Sequence, residues 1–120
     1  MALPTTEACV AAEERLVGRL FPSSLRQRLI RENGGELTCD GDIWQLHSVW
    51  DPGDRRRAQR SASHIARETE AARRWRGFPG QGVAIGENIQ GDRLILLPGG
   101  EEIYRWDHET ATCDLVAVSW

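Results

Sequence analysis

Apolar positions in the second half of the chain fall into three short runs separated by glycine-containing turns. The runs cover residues 83–85, 93–97 and 102–106, and the turns between them contain Gly-Asp and Pro-Gly-Gly. Runs of this length bounded by Gly, Pro, Asn and Asp are typical of short strands joined by tight turns. Residues 94–97 are apolar at four consecutive positions, which predicts a strand buried on both faces of a sheet. The remaining segments are therefore expected to cover both faces of that sheet.

Two amphipathic helices are predicted at the start of the chain. The first begins at a cap formed by Thr5 or Thr6 and ends near residue 19. Its apolar face consists of Val10, Leu16, Val17 and Leu20. This assignment places the acidic residues Glu13 and Glu14 off the apolar face.

The second predicted helix begins at Ser23 or Ser24 and ends at the sequence Asn33-Gly34-Gly35. Asn and Gly end helices because they tolerate the left-handed backbone conformation that a helix terminus requires. A short strand is predicted after this stop, over residues 36–39.

A longer strand is predicted over residues 43–50, because apolar and polar side chains alternate there. The alternation places side chains on two faces, with Trp44, Leu46 and Trp50 on one and Gln45 and His47 on the other. Residues 55–76 contain neither Gly nor Pro and are rich in Ala, Arg and Glu, which predicts one helix over most of this range. The last residues, 115–120, alternate weakly and predict an edge strand.

This order of elements predicts an α+β fold in one domain that spans residues 1–120. The sheet is expected to be mixed but mainly antiparallel, with the helices packed largely on one face. Of the 120 residues, 40% are hydrophobic and 28% are charged, which is typical of a globular domain. No apolar segment approaches the ~20 residues of a membrane span, so no membrane contact is predicted. The N-terminus has no secretory signal, and the protein is expected in the cytoplasm.

Charge is distributed unevenly along the chain. Residues 51–76 hold eight arginines against four acids, whereas residues 77–120 hold two arginines against seven acids. The three arginines at 55–57 are the strongest candidate for nucleic-acid binding, since clustered cations neutralise phosphates. The overall acidity, the interleaved Glu68 and Glu70 and the lack of nearby aromatic side chains favour a solvated helix face instead. Nucleic acid is therefore not predicted as the partner.

No motif for nucleotide, metal or nucleophilic chemistry has the spacing that such chemistry needs. Gly80, Gly82 and Gly86 follow the pattern G-x-G-x-x-x-G before a predicted strand, whereas a phosphate loop precedes a helix. The side chains of residues 107–109, Asp-His-Glu, are consecutive and do not converge on one ion from a strand. There is also no Gly-x-Ser-x-Gly elbow. The sequence therefore predicts no catalytic residue, no cofactor and no metal, and the protein is expected not to be an enzyme.

Five tryptophans are present, which is a high number for this length. Trp44 and Trp106 lie inside predicted strands and are expected to fill the core. Trp50, Trp75 and Trp120 lie near the ends of predicted elements, where an exposed indole would suit a protein partner.

Five short motifs follow one another along the chain in a recognisable order. They are Leu20-Phe21-Pro22-Ser23-Ser24-Leu25, Asn33-Gly34-Gly35, Ile43-Trp44-Gln45-Leu46, Gly91-Asp92-Arg93-Leu94 and Ile103-Tyr104-Arg105-Trp106-Asp107-His108-Glu109-Thr110. Together they resemble the SMI1/KNR4 family of the SUKH superfamily over nearly the whole chain. The resemblance implies that a set of motif residues supports the fold: Asn33, Gly34, Trp44, Gly91, Asp92, Tyr104 and Trp106. Asp92 is expected to fasten the turn after Gly91 through backbone hydrogen bonds.

The resemblance also implies a single α+β domain without a catalytic centre. Many bacterial members are immunity proteins that bind and neutralise a cognate toxin, often a nuclease, whereas fungal relatives act as regulatory or scaffold proteins. A toxin-neutralising immunity protein is the expected function, and a regulatory or scaffold module without a toxin partner is the alternative. The acidic second half suits a basic toxin, since complementary charge speeds encounter. The candidate contact residues are Trp50, Trp75, Glu87, Glu101, Glu102 and Asp107.

The chain departs from the family pattern at its end. Members usually continue past the equivalent of residues 116–120 into a C-terminal helix, whereas this sequence ends at Trp120. The departure predicts an uncovered sheet edge at this end. An uncovered edge favours the pairing of two copies, so a homodimer is one expected form of the protein.

Overall fold

The computed structural model describes residues 2–120, and this range contains four helices and seven strands. In chain order they are α1 (Glu7–Val17), α2 (Ser23–Arg31), β1 (Gly35–Cys39), β2 (Asp42–Leu46), α3 (Arg55–Arg60), α4 (Ile65–Ala72), β3 (Val83–Glu87), β4 (Arg93–Leu96), β5 (Ile103–Trp106), β6 (Cys113–Val116) and β7 (Val118–Ser119). Among the described residues, no helix has both the length and the apolar character needed to cross a membrane.

All neighbouring strands of the sheet are antiparallel, and their order is β6-β5-β4-β3-β2-β1-β7. Short connections join most neighbours, and a short connection can join only strands that run in opposite directions. Within residues 2–120, the only isolated bridge is a parallel one between Ser48 and His64, outside the named strands. The predicted α+β class and mainly antiparallel sheet are confirmed, but the sheet itself contains no parallel pair in this range.

The last two strands join the two ends of the sheet. β6 pairs with β5 at one end of the strand order, β7 pairs with β1 at the other, and only Ala117 separates β6 from β7. The sheet is therefore curled, so that its two end strands follow each other along the chain. The predicted edge strand over residues 115–120 corresponds to two short strands, β6 and β7, and each of them lies at an edge of the sheet. β7 pairs with Thr38 and Cys39 of β1, and both the uncovered edge and the homodimer stay predictions.

Two clusters of buried side chains lie on opposite faces of the sheet. Leu94 and Leu96 belong to the larger cluster, which also contains Trp44 and side chains of α1 and α2. Ile95 points the other way and packs with Trp106 in the smaller cluster. Leu94, Ile95 and Leu96 are fully buried, which confirms the prediction of a strand buried on both faces. The face with the larger cluster is called the inner face below, and the opposite one the outer face.

The face of α1 that packs against the rest of the protein is not the one that the sequence predicts. Glu13 and Glu14 are 1% and 4% exposed, whereas Leu16 and Leu20 are 65% and 75% exposed. Val10 is buried as expected. The predicted orientation is therefore wrong for Glu13, Glu14, Leu16 and Leu20.

The buried carboxylates of α1 hold backbone nitrogens that belong to loops. Glu13 accepts hydrogen bonds from the nitrogen of Trp50 at 3.0 Å and from that of Ala66 at 2.7 Å. Glu14 accepts one from the nitrogen of Phe21 at 2.7 Å. A buried N–H without a hydrogen-bond partner lowers the stability of the folded state. The two carboxylates supply this partner, which a leucine side chain could not do.

The helix predicted over residues 55–76 is two helices, because the chain turns at residues 61–64. The Ser61 hydroxyl accepts a hydrogen bond from the nitrogen of Asp51 at 2.9 Å and donates to the carbonyl of Arg57 at 2.8 Å. These bonds end α3 and tie the turn to the loop after β2. A straight helix would break them.

β2 ends at Leu46, four residues before the predicted end. Because the chain leaves the sheet there, part of β3 has no strand beside it, and α4 packs against that part instead. The Thr69 hydroxyl accepts a hydrogen bond from the nitrogen of Ala84 at 2.9 Å and lies 3.4 Å from the carbonyl oxygen of the same residue. A side chain thus replaces a strand as the partner of this backbone, which would otherwise be unpaired and buried.

Candidate functional site: the outer face of the sheet

The turn after α2 is organised by a buried arginine. Arg28 is 3% exposed, and its guanidinium donates hydrogen bonds to the carbonyl oxygens of Glu32, Gly34 and Glu36. Gly34 has a φ of +102°, a conformation that favours glycine. Asn33 pairs its side-chain amide with the backbone of Val49. This turn therefore connects α2 to both β1 and the loop after β2.

Asp92 is the centre of a hydrogen-bonded cluster that joins β4 to β5. It follows Gly91, which has a φ of +94°. Oδ2 accepts from Nη2 of Arg105 at 2.6 Å, and Oδ1 accepts from the nitrogen of His108 at 3.2 Å and lies 2.8 Å from its Nδ1. Burial by itself raises the pKa of this carboxyl, but the hydrogen bonds from His108 and Arg105 outweigh burial and lower the pKa to about 2. Asp92 is therefore ionised at neutral pH, and Arg105 and His108 hold its carboxylate in place.

The same cluster reaches two tryptophans. The guanidinium carbon of Arg105 lies 5.7 Å from the centre of the Trp44 ring, a cation–π contact. On the other side, Trp75 packs edge-on against His108 with 6.2 Å between ring centres. Three of the sequence motifs therefore meet at one end of the sheet, where their polar groups are used in contacts with each other.

Tyr104 and Trp106 point to the outer face of β5. Trp106 is buried, packs edge-on against Phe78 with 5.1 Å between ring centres and donates its indole N–H to the carbonyl of Gly77 at 3.2 Å. Tyr104 is half-buried and packs against the same cluster. Both side chains therefore cover the sheet where α4 and the segment after it cross the outer face.

Asp92, Asp107 and His108 bring ligand-type atoms within 4.8 Å of one another. Such a group could attract a cation if it were unoccupied. The guanidinium of Arg105, 2.6 Å from Asp92, already supplies the positive charge at this point and would repel a metal ion. The arrangement favours a structural role for these three residues.

The outer face is open over β1, β2 and the turn between β3 and β4. Glu36, Gln45 and Glu87 are cross-strand neighbours in one row, and Ile43 lies in the next. Ile43 is 66% exposed, and Ile89, in the turn, is fully exposed. Residues Glu36, Ile43, Gln45, Glu87 and Ile89 are called the outer-face patch.

The outer-face patch combines apolar and acidic side chains on a regular sheet. Ile43, Gln45, Glu87 and Ile89 line one shallow depression. The Glu87 carboxylate lies 3.8 Å from the guanidinium of Arg93, which balances part of its charge. Exposed apolar side chains rimmed by charged ones are typical of surfaces that bind proteins.

The contact residues predicted from the sequence lie in several places, and only Glu87 belongs to the outer-face patch. Trp50 is 38% exposed in the loop after β2 and lies beside His64, with 6.0 Å between ring centres. Glu101 and Glu102 are exposed in the turn before β5. Their roles in binding stay predictions.

Trp75 and Asp107 are both neighbours of His108, the first through a ring contact and the second along the chain. Trp75 is 52% exposed after α4, whereas Asp107 is half-buried and accepts hydrogen bonds from the nitrogens of Glu109 and Thr110. The structure thus brings these two predicted residues to one end of the sheet, where Asp107 caps a turn. Their roles in binding also stay predictions.

Sequence reasoning missed the two isoleucines of the outer-face patch. A signal for Ile43 was present, because it alternates with Trp44 and Leu46, and the burial of those two side chains requires that Ile43 face outwards. Ile89 also had a signal, since it is the one apolar residue in a polar turn. Such a residue in a turn has no core to join.

The sequence was compared with curated proteins and with protein-family models. Among curated proteins, none matches the sequence. The family model described as SMI1/KNR4 family (SUKH-1) matches residues 3–120. This range includes the turn held by Arg28, the Asp92 cluster and the sheet whose ends β6 and β7 join. With its whole described fold inside that match, the chain belongs to the SMI1/KNR4 family (SUKH-1).

Proposed function

We propose that this protein is an immunity protein, a non-enzymatic domain that binds a cognate toxin through the outer-face patch and blocks the toxin's active site. Family membership supports an immunity-type domain in general. The observation that carries the toxin-binding proposal is the exposure of Ile43 and Ile89 among acidic side chains. An apolar centre with a polar rim is the usual anatomy of a protein interface.

The position of Ile43 supports specific binding. Ile43 pairs with Thr38 of β1. Two residues later in β2, Gln45 pairs with Glu87 of β3, so the sheet holds the strand that carries Ile43. A surface that is ordered before binding loses little conformational freedom on association. The outer-face patch is therefore suited to steric occlusion of another protein's active site.

Charge supports a basic toxin, such as a nuclease, as the partner. Glu36 and Asp40 are exposed near Ile43, and Glu87 is half-exposed. Complementary charge raises the rate of encounter and sets the orientation of the complex. The proposal places this encounter in the cytoplasm and requires neither a membrane nor a cofactor.

The hydrogen bonds of two histidines support a proposal without a catalytic role. Nδ1 of His108 lies 2.8 Å from Asp92, and Nδ1 of His64 lies 2.6 Å from Oε2 of Glu13. Each carboxylate also accepts backbone hydrogen bonds. A general base must be able to reach a substrate proton, whereas these groups are engaged in holding loops.

Co-expression with the toxin domain encoded by the neighbouring gene tests the proposal. Cells that carry the wild-type protein are expected to survive, and the complex is expected to co-purify. The double variant Ile43→Arg/Ile89→Arg is expected to weaken the complex at least ~10-fold, because it removes apolar contacts and introduces repulsion with a basic partner. The matched control Leu20→Arg changes an equally exposed leucine beyond α1, outside the patch, and is expected to protect as well as the wild type.

Death of cells that express the wild-type protein, without any recovered complex, would reject the toxin-binding proposal. Recovery of a non-toxin protein instead would favour the alternative, a regulatory or scaffold module. Equal loss of protection in the double variant and the Leu20→Arg control would reject the outer-face patch as the contact surface.

A further inference from the structure

A cavity with both polar and apolar side chains in its wall lies beside the outer-face patch, between the N-terminal segment, the turn after α2 and the loop after β2. Its volume is about 420 Å³, within the range of roughly 300–1,000 Å³ that small-ligand sites occupy. Gln45 and Glu87 belong both to its wall and to the outer-face patch. The cavity is therefore continuous with the surface proposed to bind a protein. It is called the His47 cavity, after His47 in its wall.

Two buried side chains in the wall have unused hydrogen-bonding capacity. His47 and Ser48 are each 5% exposed. Nε2 of His47 is buried without a partner, and neither its Nδ1 nor the Ser48 hydroxyl forms a hydrogen bond with any residue in the range 2–120. Most buried polar side chains in proteins are hydrogen-bonded, so a buried imidazole nitrogen without a partner in a cavity wall needs a reason.

The charges around the His47 cavity cancel. Arg57 and Arg60 contribute two positive charges to its wall, and Asp51 and Glu87 contribute two negative ones. Burial, with a smaller effect of Arg93, lowers the pKa of His47 to about 4, so its ring is neutral at pH 7. An ion that entered would lose hydration without a net counter-charge, which favours a neutral polar ligand.

We infer that the His47 cavity binds a neutral amide, either a carboxamide side chain or a peptide group, presented by the partner protein at the outer-face patch. A neutral imidazole nitrogen either donates or accepts, and a hydroxyl does both, so His47 and Ser48 together match the N–H and C=O of an amide. The identity of the partner rests on the proposed function, whereas the preference for an amide rests on the cavity.

An unpaired imidazole in a buried position opposes stability, because a side chain without polar atoms would have no hydrogen bonds to lose. His47→Leu removes both ring nitrogens at similar size. We expect this variant to fold with a melting temperature no lower than that of the wild type and to lose amide binding. Ser48→Ala serves as the second variant if His47→Leu does not fold.

Titration of the full chain with small probes, followed by the amide NMR signals of ¹⁵N-labelled protein, tests the inference. The probes are acetamide for a carboxamide, N-methylacetamide for a peptide group and acetate for an anion. We expect saturable shifts at Gly34, His47 and Ser48 with at least one amide, and binding at least ~10-fold weaker for acetate. The same weakening is expected in His47→Leu, whereas Thr38→Val, on the outer face but outside the cavity wall, keeps the response.

The amide that responds distinguishes a carboxamide from a peptide group. A response to acetate alone, no response to any probe, or an unchanged response in folded His47→Leu and Ser48→Ala would overturn the inference. The titration uses no toxin, so its failure leaves the proposed function standing. Failure of the co-expression test with an intact amide response rejects the function and leaves the cavity's chemistry in place.

Discussion

The side-chain amide of Asn33 forms two hydrogen bonds with the backbone of Val49. Nδ2 donates to the carbonyl oxygen at 3.0 Å, and Oδ1 accepts from the nitrogen at 2.8 Å. A neighbouring strand would provide the same two bonds, and here one side chain at the end of α2 supplies both. The pair holds the segment after β2 in place, although this segment has left the sheet.

Asn33→Ala is expected to destabilise the protein by about 2–3 kcal/mol, because it leaves both backbone groups of buried Val49 without partners. Urea denaturation followed by tryptophan fluorescence measures the loss. Gln59→Ala, an exposed amide in α3, is the matched control and should change stability by less than ~0.5 kcal/mol. Equal stabilities of the two variants would show that the Asn33–Val49 pair contributes nothing.

Asp92 is expected to make stability depend on pH in the acid range. Its folded-state pKa, about 2, lies below the 3.8 of an ordinary aspartate. The stabilisation is therefore complete above roughly pH 5 and is lost as the pH falls through 3.8 towards 2. The shift of nearly two pKa units corresponds to about 2 kcal/mol.

Asp92→Asn tests this dependence. The difference in free energy of unfolding between wild type and variant should be largest at pH 7 and shrink towards pH 2, as measured by urea denaturation across that range. Asp114→Asn, which changes an exposed acid of β6, is the matched control. Since Asp92 is assigned a structural role, an Asp92→Ala variant that stays fully stable yet no longer binds the partner would contradict that assignment.

Glu13 and Leu16 distinguish the structure from the helix face that the sequence predicts. Glu13→Ala is expected to cost about 3 kcal/mol, because the nitrogens of Trp50 and Ala66 lose their acceptor. Leu16→Ala, at a 65% exposed position, should cost less than ~0.5 kcal/mol. Thermal or urea unfolding of both variants makes the comparison, and a larger loss for Leu16→Ala would reverse the orientation of α1.

Thr69→Val removes the hydroxyl that pairs with Ala84 while keeping the size of the side chain. We expect a loss of about 1–2 kcal/mol and faster hydrogen exchange at the amide of Ala84, because that N–H then has no acceptor. Thr38→Val at an exposed strand position is the control. Unchanged exchange at Ala84 would indicate that a group other than Thr69 pairs with this part of β3.

Several local elements could be predicted because their signals act within a few residues. The Thr6 hydroxyl accepts from the nitrogen of Cys9 at 3.2 Å and caps α1, as expected from its side chain. The buried strand β4 also follows from consecutive apolar residues. The acidic or apolar character of Glu13 and Leu16, by contrast, misled the prediction because burial of an acid depends on which donors surround it.

The outer-face patch was predictable only in part. The charge of Glu87 makes it a candidate contact residue from the sequence, and alternation within β2 implies the outward direction of Ile43. The gathering of Glu36, Gln45 and Glu87 in one row depends on the register between three strands, which a single strand's pattern does not contain. The same holds for the His47 cavity, whose wall comes from four separate segments.

The sequence by itself determined the α+β class, the positions of most strands and helix starts, and the resemblance to the SMI1/KNR4 family. These features arise from apolar periodicity, turn residues and motif order, which are local properties of the chain. Only the tertiary structure decided the buried face of α1, the break between α3 and α4 and the joining of the sheet's ends through β6 and β7. Each of these depends on a group from a distant segment, as when Glu13 accepts from the nitrogen of Ala66, 53 residues away.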